Sequence, residues 1–258
     1  MALPVDAHIG QVSLTVSNLA RSLRFYTDVL GFEADANRLR PAGGRVLIEL
    51  HERADAIAKP RRSSGLFHFA ILVPSRVALA RSLRRLAEKQ WPLSGSADHL
   101  VSEALYLSDP DGLGIEIYRD RPRDSWRVEN GELAMSTDPL DLQALAGEPG
   151  AGTAWTGLEA GTKMGHVHLH VPHIDSAESF YCDRIGFEPV VRRYPGALFV
   201  SAGGYHHHLG LNTWVGVGAP PPPENAVGLR SFTIESRELQ PANIEDASTG
   251  VVVSLTRT

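Results

Sequence analysis

The sequence repeats itself, and this repeat is the feature that most constrains the fold. Residues 16–32, VSNLARSLRFYTDVLGF, return as residues 171–187, VPHIDSAESFYCDRIGF, at a constant offset of 155. In each copy an alternating apolar run predicts a half-buried strand, and a helical period follows it. The helix is expected to end at Gly31 or Gly186 in a left-handed cap. A tandem duplication of a strand–helix unit is therefore predicted.

Each half also contains a second, fainter unit. Residues 65–73 predict a strand, residues 77–89 a helix and residues 114–118 a last strand after a Pro-Asp-Gly turn. A fourth unit begins at residues 228–234 and is cut short, so its helix is expected to be missing or reduced to a turn. The chain is thus predicted to have an α+β fold built from four βαβββ-type repeats, of which the fourth is truncated.

The repeat also divides the chain into segments. We predict an amino-terminal domain of two units at residues 1–122 and a carboxy-terminal domain of one full and one truncated unit at residues 164–258. Residues 123–163, rich in Gly, Pro, Asp and Thr, are predicted to be a linker that packs on the surface. Further strands are predicted at residues 45–50, 197–201 and 206–211.

Composition limits the class of protein. The 258 residues carry 25 Lys and Arg against 30 Asp and Glu, and this net charge of −5 provides no basic surface for nucleic acid. No uncharged apolar run approaches the roughly eighteen residues of a membrane helix, and the first ten residues lack an export signal. We therefore expect a cytoplasmic protein with a small-molecule partner, and neither a nucleic acid nor a membrane partner. The single cysteine, Cys182, leaves histidine and carboxylate as the metal ligands available.

Several phrases of the sequence are similar to those of a known family. Four such units with FYTDVLGF and DPDGLGIEIY resemble the vicinal oxygen chelate superfamily of glyoxalases, bleomycin-resistance proteins and extradiol dioxygenases. The phrases SGLFHFAIL, VSEALYLSDPDGLGIEIYRDRP, MGHVHLHV and FVSAGGYHHHLGLNTW look like those of two-domain bacterial catechol 2,3-dioxygenase-like proteins. The resemblance covers nearly the whole chain. It implies that the units pair into two cup-shaped mixed sheets, with metal ligands on the first and last strands of a unit.

The metal ligands depend on which units share a cup. The repeat gives Gln11, His68, His166 and Ser231 equivalent positions on the four opening strands, and Glu116 lies on the last strand of unit two. If units two and three pair, His68, Glu116 and His166 meet as two imidazoles and one carboxylate, a set typical of non-heme Fe(II) oxygenases. If consecutive units pair, the amino-terminal cup holds Gln11, His68 and Glu116 instead. We favour the first pairing.

The resemblance also implies roles around the ion. One segment resembles the dioxygenase region with a substrate-contacting His and Tyr, which correspond here to His99 and Tyr106. Another resembles the strand that supplies the acid–base histidine, which makes His207 the candidate and His206 or His208 the alternative. The substrate-binding residues implied are His206, His208 and Tyr205. The expected activity is extradiol cleavage of a small aromatic diol with O₂, by Fe(II) or by Mn(II), because the ion must change redox state.

Two other functions stay open. Gln11, Glu49, His68 and Glu116 match the ligand set of glyoxalase I, an isomerase in which Zn or Ni holds the substrate. A shift of one residue in strand register would turn Glu49 away from that cup. The second alternative is a metal-free binding protein of the bleomycin-resistance kind. Exposed edges of open sheets are consistent with a homodimer.

Overall fold

The four repeat units all form strands in the computed structural model, which describes residues 2–258. Unit one comprises β1 (His8–Val16), α1 (Leu19–Arg24), β2 (Glu33–Asp35), β3 (Arg38–Arg40) and β4 (Ile48–Glu52). Unit two comprises β5 (Gly65–Leu72), α2 (Arg76–Glu88), β6 (Gly95–Asp98), β7 (Ser102–Ser108) and β8 (Gly114–Asp120). The segment after unit two contains β9 (Val128–Glu129), β10 (Glu132–Leu133) and α3 (Leu142–Ala146).

The carboxy-terminal half continues the same order of elements. Unit three comprises β11 (Lys163–His170), α4 (Ile174–Glu178), β12 (Glu188–Val191), β13 (Ala197–Ser201) and β14 (Leu209–Asn212). Unit four comprises β15 (Gly228–Ser236), β16 (Ala242–Asp246) and β17 (Val251–Arg257). Residues 228–258 contain no helix, so the predicted truncation of the fourth unit is confirmed.

The strands form two large curled sheets that each draw on both halves of the chain. The seven-stranded sheet has the order β16-β17-β15-β1-β4-β3-β2 and therefore joins unit four to unit one. The eight-stranded sheet has the order β12-β13-β14-β11-β5-β8-β7-β6 and joins unit three to unit two. Antiparallel pairs, β1 with β15 and β11 with β5, form the two junctions. The α+β fold and the repeats are thus confirmed, and units two and three share a sheet.

The helices show how the repeat determines local structure. Asn18 caps α1 and Ser75 caps α2, each accepting a hydrogen bond from a backbone N–H of the first turn. After α1 and α4 the chain widens into a π-helical segment. The φ angles of 83° at Gly31 and 106° at Gly186 are left-handed, as predicted, and a residue with a Cβ is strained there.

Equivalent tyrosines anchor the helical segments to turns of the neighbouring unit. The Tyr26 hydroxyl donates to Asp109 at 3.2 Å, and the Tyr181 hydroxyl donates to Asp246 at 2.9 Å. All four side chains are buried. Tyr26 and Tyr181 occupy the same place in the repeat, so each half fixes its helix by the same contact.

Two strand predictions differ from the structure. The predicted strand 45–50 runs instead from Ile48 to Glu52, and the predicted strand 206–211 runs from Leu209 to Asn212. The three consecutive histidines therefore lie in the turn that precedes β14. The domain bounds 1–122 and 164–258 and the linker 123–163 stay predictions. Within residues 2–258, no helix is long and apolar enough to cross a membrane.

Candidate metal centre and its cavity

Three strands of the eight-stranded sheet bring His68, Glu116 and His166 together. Ala70 on β5 is paired on one side with Glu116 of β8 and on the other with His166 of β11. Residues two apart on a strand face the same way, so His68 points to the same face as Ala70. Because Ala70 has only a methyl group, its neighbours have room to converge above it. The pairing of units two and three therefore forms this group.

The distances within the group suit a metal ion. Nε2 of His68 and Nε2 of His166 each lie 3.0 Å from Oε2 of Glu116, and all three ligand atoms lie within 4.8 Å of one another. Two ligands bound at right angles, each about 2.1 Å from an ion, stand about 3.0 Å apart. All three side chains are buried, with Nε2 of His68 lacking a hydrogen bond of good geometry. An unpaired buried nitrogen that faces a carboxylate and a second imidazole is suited to binding a cation.

The protonation states also suit a ligand set. Burial alone raises the pKa of Glu116, but the imidazoles of His166 and His68 more than offset it and hold the pKa well below its usual value. Burial lowers the pKa of His166 to about 4 despite the neighbouring carboxylate. At neutral pH Glu116 is therefore ionised and His166 is neutral, the forms that bind a cation.

The alternative ligand set is not assembled. Gln11 on β1 and Glu49 on β4 belong to the seven-stranded sheet, where the Gln11 amide donates to Glu49 Oε2 at 3.2 Å. His68 and Glu116 lie in the other sheet. Among residues 2–258, the His, Cys, Asp and Glu side chains close enough to hold an ion together are those of His68, Glu116 and His166. The strand pairing, rather than a register error at Glu49, separates the four residues of the glyoxalase set.

A cavity of about 880 Å³ opens beside the candidate metal ligands. His68 and Glu116 form part of its wall, together with His207, Tyr106 and His99. Further wall residues are aromatic: Phe67, Tyr194, Phe199 and Trp214. Its size lies within the usual range for small-molecule sites, about 300–1,000 Å³. A flat aromatic ligand can therefore be enclosed next to the metal position.

His207 is held by a chain of hydrogen bonds that ends at Asp120. Nε2 of His206 lies 2.9 Å from the Asp120 carboxylate, and Nδ1 of His206 lies 2.8 Å from Nδ1 of His207. The carboxylate can only accept, so His206 carries its proton on Nε2 and accepts from His207 at Nδ1. This leaves Nε2 of His207 with a free lone pair. Burial and the surrounding imidazoles hold the pKa of His207 well below its usual value, so the ring is neutral.

The three residues implied as substrate-binding are not brought to the cavity. His206 is fully buried behind His207, and Tyr205 donates from its hydroxyl to Asp120. His208 accepts at Nδ1 from the backbone N–H of Ala202 at 3.1 Å. None of these three residues lines the cavity among the side chains that the structure describes. His207, which lies between His206 and His208, does line the cavity, so this segment turns one of its three histidines towards the cavity and the other two away from it.

Tyr106, the cross-strand neighbour of Glu116 on β7, forms a hydrogen-bonded pair with His99. Nδ1 of His99 lies 2.5 Å from the carbonyl oxygen of Ser136, and Nε2 lies 2.6 Å from the Tyr106 hydroxyl. The carbonyl accepts, so the His99 proton is on Nδ1 and the Tyr106 hydroxyl donates to Nε2. Burial and the negative charge of Glu116 raise the pKa of Tyr106 well above 10, so it keeps its proton. In this state the Tyr106 oxygen accepts from a ligand rather than donating to it.

Two residues of the site were not assigned a role from the sequence. Asp120 is the last residue of β8, whereas the predicted strand ended two residues earlier at Tyr118 and therefore did not include it. His168 on β11 pairs with His68 of β5 and lies in the cavity wall, with its Nε2 buried and unpaired. Gly210 lies directly beside it, and a Cβ there would come within 2.7 Å of the His168 ring.

The chain is similar to proteins of a known superfamily. The sequence profile of the Glyoxalase/Bleomycin resistance protein/Dioxygenase superfamily matches residues 8–117. A protein of Bacillus subtilis (strain 168) named catechol-2,3-dioxygenase is 49% identical over 238 residues, which cover 89% of this chain and 82% of that protein. The chain therefore belongs to the Glyoxalase/Bleomycin resistance protein/Dioxygenase superfamily.

Solved structures agree on the fold. One from Bacillus subtilis has a TM-score of 0.63 at 14% identity, covering 96% of this chain and 84% of that one. Glyoxalase I from Zea mays has a TM-score of 0.55 at 12% identity, covering 98% of this chain and 92% of that one. At such low identities the likeness concerns the architecture alone.

Proposed function

We propose that the protein is an extradiol dioxygenase that opens a catecholic ring with O₂ at His68, Glu116 and His166. The observation that carries the proposal is that these three buried side chains converge beside a cavity whose wall contains His207. The relative named catechol-2,3-dioxygenase supports it, since it is 49% identical over most of this chain. The glyoxalase alternative loses support because Gln11 and Glu49 lie in the other sheet.

The metal that we propose is Fe(II), with Mn(II) as the alternative. Two imidazoles and one carboxylate suit this ion and leave coordination positions free. When bound, it supplies a Lewis acid with open positions that can exchange electrons with dioxygen, which no side chain in the cavity can do. Zinc lacks this redox chemistry and would fit the isomerase instead.

The side chains of the cavity would perform the proton transfers. Nε2 of His207 has a free lone pair and would take the proton of a catechol hydroxyl, then return it later in the reaction. His206 and Asp120 would hold that imidazole in the required tautomer and orientation, as the third group of a catalytic triad does. The role of His207 as the acid–base residue therefore rests on its hydrogen bonds and its place in the cavity wall.

The remaining walls would orient the ring. The Tyr106 oxygen would accept a hydrogen bond from a substrate hydroxyl while its own O–H donates to Nε2 of His99. Phe67, Trp214 and Phe199 provide flat apolar surfaces that hold an aromatic ring and exclude water. The product would be a ring-opened semialdehyde.

The proposal is tested by metal analysis of anaerobically purified protein, combined with an absorbance screen of catechols for the yellow ring-opened product. We expect iron and yellow product. Zinc or nickel with isomerase activity and no yellow product would establish the glyoxalase alternative. Protein that binds a catechol without any transition metal would establish a binding protein.

A variant links the chemistry to His207. His207→Phe keeps a ring that can pack on His166, whose ring centroid lies 4.1 Å away, but removes the nitrogen. It should retain iron and lose at least about two orders of magnitude in kcat, the usual contribution of acid–base catalysis. His173→Phe is the matched control, since His173 is exposed and its side chain caps no helix. Unchanged turnover in His207→Phe would remove the assignment.

A further inference from the structure

The mouth of the cavity is positively charged. Lys59 and Arg61 lie in the cavity wall together with Phe67 and Trp214, whose partial exposure of 37% and 46% shows that the cavity opens to solvent near them. None of the ion pairs found among residues 2–258 involves Lys59 or Arg61. Arg61 is exposed, whereas Lys59 is half-buried. Lys59 is thus a partly desolvated cation without a counter-ion.

The acidic groups of the cavity do not neutralise this charge. Glu116 is engaged by the two imidazoles of the metal group. Asp111 forms a salt bridge with Arg21 and accepts from Ser17. The positive charge at the mouth therefore has no partner within the cavity.

The ammonium of Lys59 donates only one of its three N–H groups to the hydrogen bond that the structure gives it. Its Nζ donates to the carbonyl oxygen of Ser63 at 3.1 Å, and a lysine ammonium carries three N–H groups. Burial lowers the pKa of Lys59 to about 8, so the group is still protonated at neutral pH. Two N–H groups therefore stay free for an anion.

The position of Lys59 relative to the metal group follows from its contact with β5. Its Cε comes within 3.6 Å of the position that a Cβ on Gly65 would occupy. Gly65 and His68 are paired across a β-bulge with His170 and His168 of β11, which are two residues apart and therefore roughly 7 Å apart along the strand. The intervening wall consists of the Phe67 and His170 rings, with centroids 4.8 Å apart. An aromatic ring at the metal would thus direct a substituent along this wall towards Lys59.

We propose that Lys59 binds a carboxylate at the end of a short side chain on the catechol ring. This inference rests on the proposed function and specifies its substrate class: catechols that carry an acidic substituent. Arg61, at the exposed rim, would attract the same anion before it enters.

The test compares two ligands of equal length, dihydroxyphenylpropionate and its uncharged counterpart propylcatechol. Their dissociation constants are measured by calorimetry on the iron-loaded protein without oxygen, so that binding is separated from turnover. Wild-type protein should bind the propionate more tightly. In Lys59→Met the ratio of the two constants should shift by about tenfold against the propionate, equivalent to about 1.4 kcal/mol.

Two controls separate charge recognition from a structural role. Lys59→Arg keeps the charge and should keep most of the preference, whereas a purely structural lysine would give the same result in the Met and Arg variants. Lys89→Met carries the same substitution on an exposed lysine next to α2 and should leave both constants unchanged.

The outcomes separate this inference from the proposed function. An unchanged ratio in Lys59→Met, or a wild-type protein that does not prefer the propionate, would overturn the carboxylate site. A shifted ratio supports the site, whether or not the ring is then opened. Failure of both ligands to give yellow product when oxygen is admitted would count against the dioxygenase, not against the site.

Discussion

Metal binding should raise the melting temperature of the protein, and this increase should require His166 but not Gln11. An ion that binds only the folded chain stabilises it by about 2.7 kcal/mol when its free concentration is one hundred times Kd. For a chain of 258 residues, each kcal/mol raises the melting temperature by about 2 °C. The expected increase is therefore about 5 °C. The three buried ligand atoms already lie within 4.8 Å of one another, so little rearrangement opposes binding.

The assay is thermal unfolding with and without Mn(II), which is less readily oxidised in air than Fe(II). His166→Ala removes one of the three ligands and should abolish the increase. It also removes a hydrogen bond from the buried Glu116 carboxylate, which should lower the metal-free stability by about 1.5–3 kcal/mol. The comparison is therefore made within each variant, as the difference that the ion causes.

Gln11→Ala provides the opposite case. Its amide contacts Glu49 in the seven-stranded sheet, away from the three ligands, so the increase should persist. His173→Ala, which removes an exposed histidine, should also keep it. If Gln11→Ala abolished the increase and His166→Ala kept it, the assignment of the ligands from strand pairing would be refuted.

Three further predictions concern the surroundings of the site. Asp120→Asn weakens the charge-assisted bond that orients His206 and should lower kcat about tenfold or more, measured on a catechol; an unchanged kcat would contradict it. Gly210→Ala places a Cβ against the His168 ring and should destabilise the protein by about 1–3 kcal/mol in urea unfolding, a result that equal midpoints would disprove. Burial raises the pKa of Asp109 from 3.8 to about 6, so the folded state binds this proton more tightly and loses stability as pH rises from about 4 to 6. Asp109→Asn should remove about 3 kcal/mol of that dependence, and parallel urea-unfolding profiles for the two proteins would argue against it.

The fold could be predicted because the repeat shows which strands of the chain are equivalent, and the pattern of a single strand does not show this. The offset of 155 aligned Gln11 with His166, and the fainter second unit gave His68 the same position on its own opening strand, before any contact was known. The truncation of unit four followed from the same alignment. Which units pair was not determined by the pattern, because strand order depends on long-range contacts; the preference for units two and three rested on where the metal-ligand residue types fell.

The candidate site was most predictable for the residues that lie on regular strands. His68, Glu116 and His166 lie on regular strands, in which side chains alternate between the two faces of the sheet. The face to which each side chain points could therefore be inferred from the sequence. His206 and His208 were implied as substrate-binding by the resemblance, yet His207 between them lines the cavity and they do not. Residues such as Lys59, which approach the cavity from a loop, have no periodicity that would indicate where they point.

The junction between β1 and β15 has a consequence for how the protein is made on the ribosome. All strands of the eight-stranded sheet have been synthesised by Asn212, whereas β1 receives its partner β15 only from Gly228 onward. Until then one edge of the first strand to emerge stays open to pairing with other chains. A chain released just after Asn212 would therefore combine the three candidate metal ligands with an aggregation-prone edge.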